Sequence, residues 1–101
     1  MARDYRLRGG RQIASRWRGQ GGEIDLILQD GPTVVFVEVK RARSFEDAIG
    51  RLTPRQIGRI RQTAEEYLED EPLAGLTDCR FDLALVDGQG NLRVIENVLA
   101  A

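Results

Sequence analysis

The segment GGEIDLILQDGPTVVFVEVKRAR, residues 21–43, is the most informative part of the sequence. It contains two apolar runs, GEIDLILQ and TVVFVEVKRA, separated by the turn sequence DGPT. This pattern is typical of two strands joined as an antiparallel hairpin. Alternate residues of a strand face opposite sides of a sheet, and here both sides are largely apolar. The hairpin is therefore predicted to lie in the centre of a sheet, with both faces covered.

Three charged residues interrupt the apolar runs: Asp25 in the first strand of the hairpin, and Glu38 and Lys40 in the second. In a register that opposes odd-numbered to even-numbered residues, Asp25 can lie opposite Glu38, with Glu23 opposite Lys40. Two carboxylates one strand spacing apart repel each other, and partly buried ions are costly unless they are compensated. A divalent cation would compensate them. Mg²⁺ is suited to this because it accepts one or two carboxylates and keeps several waters, and Mn²⁺ is the alternative ion.

A purely structural alternative uses the same residues. Glu23 and Lys40 could form a cross-strand ion pair, with Asp25 and Glu38 at the rim of the sheet. Lys40 is, however, the single lysine of the chain, beside fourteen arginines. A lysine presents a compact charge that can approach a water or a phosphate oxygen, which a planar guanidinium does differently. This favours Asp25, Glu38 and Lys40 as a catalytic group.

Outside the hairpin the sequence predicts three further strands and one long helix. RQIASRWR is a strand that follows a short start, which could be helical, and RSFEDAIGRL is a loop with one helical turn. TPRQIGRIRQTAEEYLED, residues 53–70, has one apolar helical face and a capping box formed by Thr53 and Gln56. RFDLALVD and LRVIENVL, joined by the turn GQGN, are the last two strands. The element order predicts an α/β sandwich around a central mixed sheet, in one domain over residues 1–101.

The composition restricts the chemistry. The chain has no histidine, which excludes Ser-His and Cys-His catalysis and ordinary zinc sites. Its single cysteine, Cys79, cannot form an internal disulfide and is expected to be a buried structural thiol. No apolar run approaches the roughly 20 residues of a membrane span, and the arginine-rich start lacks the apolar region of a signal peptide. We therefore expect a cytoplasmic protein without membrane contact.

The net charge of −1 conceals strong segregation along the chain. Residues 1–18 and 40–61 each carry +5, whereas residues 19–39 carry −4 and residues 62–101 carry −7. Basic segments on both sides of an acidic one favour contact with nucleic-acid phosphates, and a solvated surface is the alternative. The residues predicted to bind nucleic acid are Arg16, Arg18, Arg41, Arg43, Arg55 and Arg59. Trp17 and Tyr5 could stack on bases, but packing in the core or at its rim is the favoured role, and the acidic residues 65–71 should face away from DNA.

The hairpin, together with TPRQ and DCRFDLALV, resembles the YraN-like family of uncharacterised bacterial proteins over nearly the whole chain. The resemblance implies a restriction-endonuclease-like fold and the PD-(D/E)xK nuclease superfamily. It implies that Asp25, Glu38 and the carbonyl of Val39 bind Mg²⁺. It further implies that Lys40 polarises the attacking water or stabilises the developing phosphate charge. Glu23 matches the family's GEID motif and is expected to assist through a water or as a partner of Lys40.

The chain departs from the family pattern at three places. Members usually begin with a longer helix that carries a glutamate; only YRLRGGRQIASRWR corresponds to it here, and Asp4 is a poor replacement, so the first helix is predicted to be truncated. Gln56, beside Arg55, occupies the position of an expected basic residue and is assigned a supporting role. Glu46 follows Phe45 where a glycine is usual.

These observations predict an Mg²⁺-dependent hydrolase of DNA phosphodiester bonds. One alternative is a nucleic-acid-binding module that keeps the site residues without useful turnover. Another is a metal-free interaction domain whose arginines bind an acidic protein. The truncated start also predicts an incompletely covered sheet face, and with it a homodimer.

Overall fold

The computed structural model describes residues 11–70 and 78–98 of the chain. These residues form five strands and two helices: β1 (Arg11–Arg18), β2 (Glu23–Asp30), β3 (Thr33–Arg41), α1 (Phe45–Gly50), α2 (Pro54–Asp70), β4 (Asp78–Val86) and β5 (Leu92–Ile95). The strands make one sheet in the order β1-β2-β3-β4-β5. β3 and β4 are parallel, and the other neighbouring strands are antiparallel. This arrangement confirms the predicted mixed α/β fold class and is compatible with a restriction-endonuclease-like domain.

β2 and β3 form the predicted central hairpin. Leu26 lies opposite Val37, and the pairing continues to Asp30 and Thr33 next to the turn. Gly31 adopts a φ of 59° in that turn, a left-handed conformation that glycine adopts without a steric penalty. Asp25 and Glu38 stand one residue beyond Leu26 and Val37, where the regular pairing of the two strands ends.

The sheet face under α2 holds the larger part of the core. Its buried residues are Ile24, Ile27, Val34, Phe36, Ala64 and Tyr67. Phe36 stacks on Phe81, with ring centroids 5.4 Å apart, and meets the edge of Tyr67 at 5.9 Å. Trp17 meets the other side of Tyr67 at 5.3 Å, so this tryptophan packs at the rim of the core, as its packing interpretation predicted.

The opposite sheet face is also buried. Leu28, Val35, Val37 and Ala84 have no exposed surface there, and Leu26 is 6% exposed. The prediction of an incompletely covered sheet face is therefore wrong for these residues, because their apolar side chains are as well covered as those under α2. The homodimer stays a prediction, but without that support.

The two helices begin at the residues that the capping rules favour. Thr53 Oγ1 accepts a hydrogen bond from the backbone N–H of Gln56 (3.2 Å), and Gln56 Oε1 accepts one from the N–H of Thr53 (3.3 Å). This is the predicted capping box, and such a cap contributes about 1 kcal/mol. Ser44 caps α1 through the N–H of Asp47, and α1 extends beyond the single turn that was predicted.

Two predictions near the end of the chain need correction. Cys79 is exposed, not buried, because it stands in the first part of β4, which is exposed; the buried part of the strand begins at Asp82. β5 is shorter than predicted and ends at Ile95, after which the chain turns and the N–H of Val98 bonds the carbonyl of Phe81 at 2.8 Å. Neither helix of the described part is long and apolar enough to cross a membrane.

The predictions that concern Asp4, Tyr5 and Glu71, and the proposed truncation of a first helix, lie outside the described residues.

Candidate active site

Asp25, Glu38 and Lys40 lie at one end of the sheet. Asp25 is near the start of β2, and the other two residues are near the end of β3. Because β3 and β4 run parallel, this end is the carboxyl edge of the parallel pair. Ligand sites of open α/β sheets commonly lie at such an edge.

Asp25 and Glu38 are neighbouring carboxyl groups that act on each other electrostatically. Burial, the hydrogen bond with Asp25 and the charge of Asp25 raise the pKa of Glu38 to about 8, against the weaker opposing effects of Lys40 and the Val39 amide. Near neutral pH the protonated form of Glu38 is therefore favoured. Lys40, two residues further along β3, lowers the pKa of Glu38, so its charge acts on the same carboxyl group.

The burial of Glu38 comes from an apolar wall around it. Leu83 is its neighbour on β4, and Leu52 and Ile60 line the same pocket from the loop before α2 and from α2 itself. Phe36, two residues earlier on β3, closes the pocket below it. An ionised carboxylate loses water hydration in this setting, which is why burial is the largest cause of the raised pKa.

The sheet opens on both sides of Asp25. Pairing between β2 and β3 stops at Leu26 and Val37, and the backbone N–H of Val39 donates instead to Asp25 Oδ2 at 2.8 Å. The N–H and C=O of one strand residue point to the same side, so the Val39 carbonyl also faces this opening. Arg16, which the β1–β2 register would set opposite Asp25, has a φ of 50°, and the pairing passes over it. A non-glycine residue in this left-handed region costs about 1 kcal/mol, which places local strain beside the acidic pair.

Glu23 does not pair with Lys40, and that prediction is wrong. Its carboxylate accepts a hydrogen bond from Arg16 Nε at 3.0 Å and another from an Nη of Arg18 at 3.3 Å. These bonds, Arg16 first, lower the pKa of Glu23. The reason is that the two strand pairs end at different positions. β1 is still paired with β2 at Arg18 and Glu23, whereas the pairing of β2 with β3 ends at Leu26 and Val37.

All six arginines that were predicted to bind nucleic acid are exposed. The side chains of Arg16 and Arg18 are 80% and 75% exposed although both contact Glu23. Arg55 and Arg59 lie one turn apart on the first half of α2, the half that also lines the Glu38 pocket.

The remaining members of that set, Arg41 and Arg43, end β3 and begin the next loop, directly after Lys40. Gln56 contributes its side-chain oxygen to the helix cap, which is the role that the structure gives it.

Two polar features escaped the sequence analysis. Glu66 of α2 accepts hydrogen bonds from the backbone N–H groups of Gln20 (3.2 Å) and Gly21 (3.0 Å), which fastens α2 to the loop before the site. Gly21 is needed for this close approach, because a Cβ there would lie 3.0 Å from Gln62 and 3.1 Å from Thr63 Oγ1. The repeated glycine of the GGEID sequence was the signal for it.

The second feature is the buried carboxylate of Asp82, which is 1% exposed. It accepts hydrogen bonds from Arg80 Nε at 3.1 and 3.3 Å and from the N–H of Asn97 at 3.0 Å. These contacts tie the turn after β5 to β4. The spacing of an arginine and an aspartate two apart on one strand face was the available signal.

A five-stranded mixed sheet with helices, in this order, is compatible with the restriction-endonuclease-like class of α/β domains. The chain belongs to the family described as "Uncharacterised protein family UPF0102", whose model matches residues 1–86. This confirms the resemblance to the YraN-like family, which is a family of bacterial proteins.

Several bacterial relatives cover almost the whole chain. The UPF0102 protein of Cereibacter sphaeroides (strain ATCC 17025) is 50% identical over 101 residues, which are 100% of this chain and 86% of that protein. The UPF0102 protein of Ruegeria pomeroyi is 52% identical over 97 residues, covering 96% of this chain and 79% of its own length. That of Roseobacter denitrificans is 51% identical over 100 residues, covering 99% and 78%.

Proposed function

We propose that this protein is a metal-dependent nuclease that hydrolyses phosphodiester bonds of DNA with Asp25, Glu38 and Lys40. The observation that supports this most directly is the acidic pair itself. Glu38 lies against an apolar wall, and its burial together with the neighbouring Asp25 raises its pKa to about 8; a cation could compensate both carboxylates. A structural ion pair would place a cationic side chain there instead.

The donor set fits Mg²⁺. In the part of the chain that the structure describes, no group of three or more carboxylate, cysteine or histidine side chains is brought together, so a site here has two carboxylates. Mg²⁺ is typically held by one or two carboxylates and keeps several waters. Asp25, Glu38 and the Val39 carbonyl would hold the ion; the Val39 N–H already donates to Asp25 Oδ2 at 2.8 Å, and Asp25 is the neighbour that acts on Glu38. Mn²⁺ is the alternative ion.

Each residue of the chain has a separate task in this proposal. When bound, Mg²⁺ supplies a Lewis acid that polarises a phosphoryl oxygen and favours deprotonation of the attacking water. Glu38 would hold the ion in its ionised form, so its proton would have to leave to solvent before the ion could bind. Lys40 donates hydrogen bonds to the attacking water or to a phosphate oxygen, where negative charge grows in the transition state. Asp25 keeps the Val39 peptide in place through Oδ2 and leaves its other oxygen for the cation.

The exposed arginines supply the nucleic-acid surface in this proposal. Arg41 and Arg43 follow the lysine directly, and Arg55 and Arg59 stand on the half of α2 nearest to Glu38. Phosphate contacts release counterions, so binding should weaken steeply as salt rises. Binding that stays constant from low to moderate salt would instead favour an interaction domain without nucleic acid.

The test is a cleavage panel with Mg²⁺ and Mn²⁺ on linear, nicked, flapped and four-way DNA. The wild type should cleave at least one substrate, and Asp25→Asn and Glu38→Gln should reduce the rate at least about a hundredfold. Glu65→Gln, which changes an exposed carboxylate of α2, is the matched control and should cleave like the wild type. If the wild type cleaves no substrate with either ion, the proposed nuclease activity is refuted.

A nucleic-acid-binding module without turnover is the second candidate. The observation that favours it is that Asp25 already accepts a hydrogen bond from the Val39 amide, while the raised pKa of Glu38 favours its neutral form, so neither group requires a cation. In that case DNA binding is salt-dependent, while neither ion produces cleavage in the same panel.

A further inference from the structure

Glu23 and its two arginines form a charged cluster directly beside the acidic pair. Each oxygen of the Glu23 carboxylate takes one arginine: Oε1 contacts Arg16 Nε, and Oε2 contacts Arg18. The Glu23 side chain is 25% exposed, whereas the two arginine side chains are 80% and 75% exposed. The carboxylate therefore lies below two guanidinium groups that face solvent.

The backbone of Arg16 is unusual in a way that serves this cluster. A regular ladder would place Arg16 opposite Asp25, where its guanidinium would neutralise the acidic pair. The pairing passes over Arg16 instead, its φ is 50°, and its Nε is bonded to Glu23. Asp25 still acts on the guanidinium charge of Arg16, so the arginine remains next to the pair without occupying it.

We propose that Glu23 is a positioning residue that holds Arg16 and Arg18 as a clamp for one backbone phosphate of DNA, next to the phosphate that reacts. This inference rests on the proposed nuclease function and gives its substrate contact. A carboxylate that uses the Nε of Arg16 leaves that guanidinium's two terminal nitrogens directed away from it, and paired nitrogens of this kind match a phosphate group. Two arginines fixed by one carboxylate also lose less side-chain entropy when they bind.

The charge of Glu23 allows a test in which positioning and simple electrostatics predict opposite changes in DNA affinity. Glu23→Gln removes a negative charge while both arginines stay cationic, so an unstructured basic surface would bind DNA more tightly. A clamp would bind it more weakly, because the arginines lose their fixed arrangement. Glu65→Gln on α2 makes the same change of net charge at an exposed position away from the cluster and reports the electrostatic effect alone.

The experiment is fluorescence anisotropy with a labelled 20-base-pair duplex in EDTA, over a series of salt concentrations, so that no cleavage is involved. Arg16→Ala and Arg18→Ala should each weaken binding about three- to tenfold and reduce the slope of log K against log salt by about 0.9. Glu23→Gln should weaken binding about threefold, and Glu65→Gln should leave it unchanged or tighten it. Arg16→Lys retains the charge and should fail to restore wild-type affinity.

Three outcomes overturn the clamp: tighter binding by Glu23→Gln, wild-type binding by Arg16→Lys, or no duplex binding by the wild type at low salt. Arg16→Lys decides the question if Glu23→Gln does not fold, which circular dichroism of each variant establishes. Failure of the nuclease function is a separate result, because it is seen in the cleavage panel and leaves this binding comparison intact. If the wild type cleaves DNA while Glu23→Gln binds DNA more tightly, the clamp is refuted and the proposed nuclease function stands.

Discussion

The raised pKa of Glu38 predicts that the acidic pair lowers the stability of the metal-free protein as the pH rises. The folded-state pKa is about 8, against 4.5 for an unperturbed glutamate, so between these values the native state binds more protons than the unfolded state. Stability must then fall as the pH increases through this window. Glu38→Gln keeps a hydrogen-bonding side chain of the same shape and cannot ionise, so it should not show this loss.

The size of the effect follows from the same two values. The difference between 4.5 and about 8 sets a ceiling of about 5 kcal/mol. Glu38 is only half-buried, and solvent screening of such groups reduces the expected value to about 1–2 kcal/mol. For a domain of this size, that corresponds to roughly 5–15 °C in melting temperature.

Thermal unfolding followed by circular dichroism at pH 5 and pH 9, in the presence of a chelator, measures this change in melting temperature. From pH 5 to pH 9 the melting temperature of the wild type should fall by this amount more than that of Glu38→Gln. The melting temperature of Glu65→Gln should follow that of the wild type at both pH values. Parallel pH dependence of the wild type and Glu38→Gln would show that Glu38 ionises normally, and the account of the buried acidic pair would be wrong.

Four further predictions concern other parts of the molecule. Lys40→Arg should bind duplex DNA like the wild type but lose about a hundredfold in cleavage rate, because a displacement of about 1 Å is enough for such a loss; wild-type cleavage would refute the catalytic role of the lysine. Thr53→Ala should lose about 1 kcal/mol in urea unfolding through the missing cap of α2, and an unchanged midpoint would contradict it. Gly21→Ala should lose about 1–2 kcal/mol in the same assay, since its Cβ would press on buried Thr63, and a neutral change would mean that α2 yields easily. Cys79 should react fully with a thiol reagent in the folded protein, and protection until denaturant is added would contradict its exposed position.

The central hairpin could be predicted from sequence because all of its determinants are local. The turn at Gly31, the apolar alternation on both sides and the charged residues that must share a face lie within about twenty positions of one another. Asp25 and Glu38 were brought together by the same argument, and the observed register agrees with it. The capping box of α2 is equally local, with both partners three residues apart.

The features that the sequence analysis missed or predicted wrongly depend on packing between distant parts of the chain. Glu23 was expected beside Lys40 because the β2–β3 ladder was assumed to continue, whereas its actual partners come from β1, and only the position where each ladder ends decides between them. Cys79 was expected to be buried from the behaviour of cysteines in general, but it lies in the exposed first part of β4, and where the burial of a strand begins depends on tertiary packing. Glu66 reaches a loop 45 positions earlier, a contact that no local pattern indicates.

The parallel pairing of β3 with β4 has a consequence for the order of folding. The β1–β2–β3 meander closes over short turns, but Thr33 meets Asp78 only after the long crossover through α1 and α2 has formed, and such closures come late. Glu38 is on the meander, yet the side chains that dehydrate it, Leu83 and Ile60, belong to β4 and α2. During refolding near pH 6.5, one proton should therefore be taken up from solvent as the crossover docks. A pH-indicator dye in weak buffer would record that uptake as a kinetic phase, which Glu38→Gln should lack.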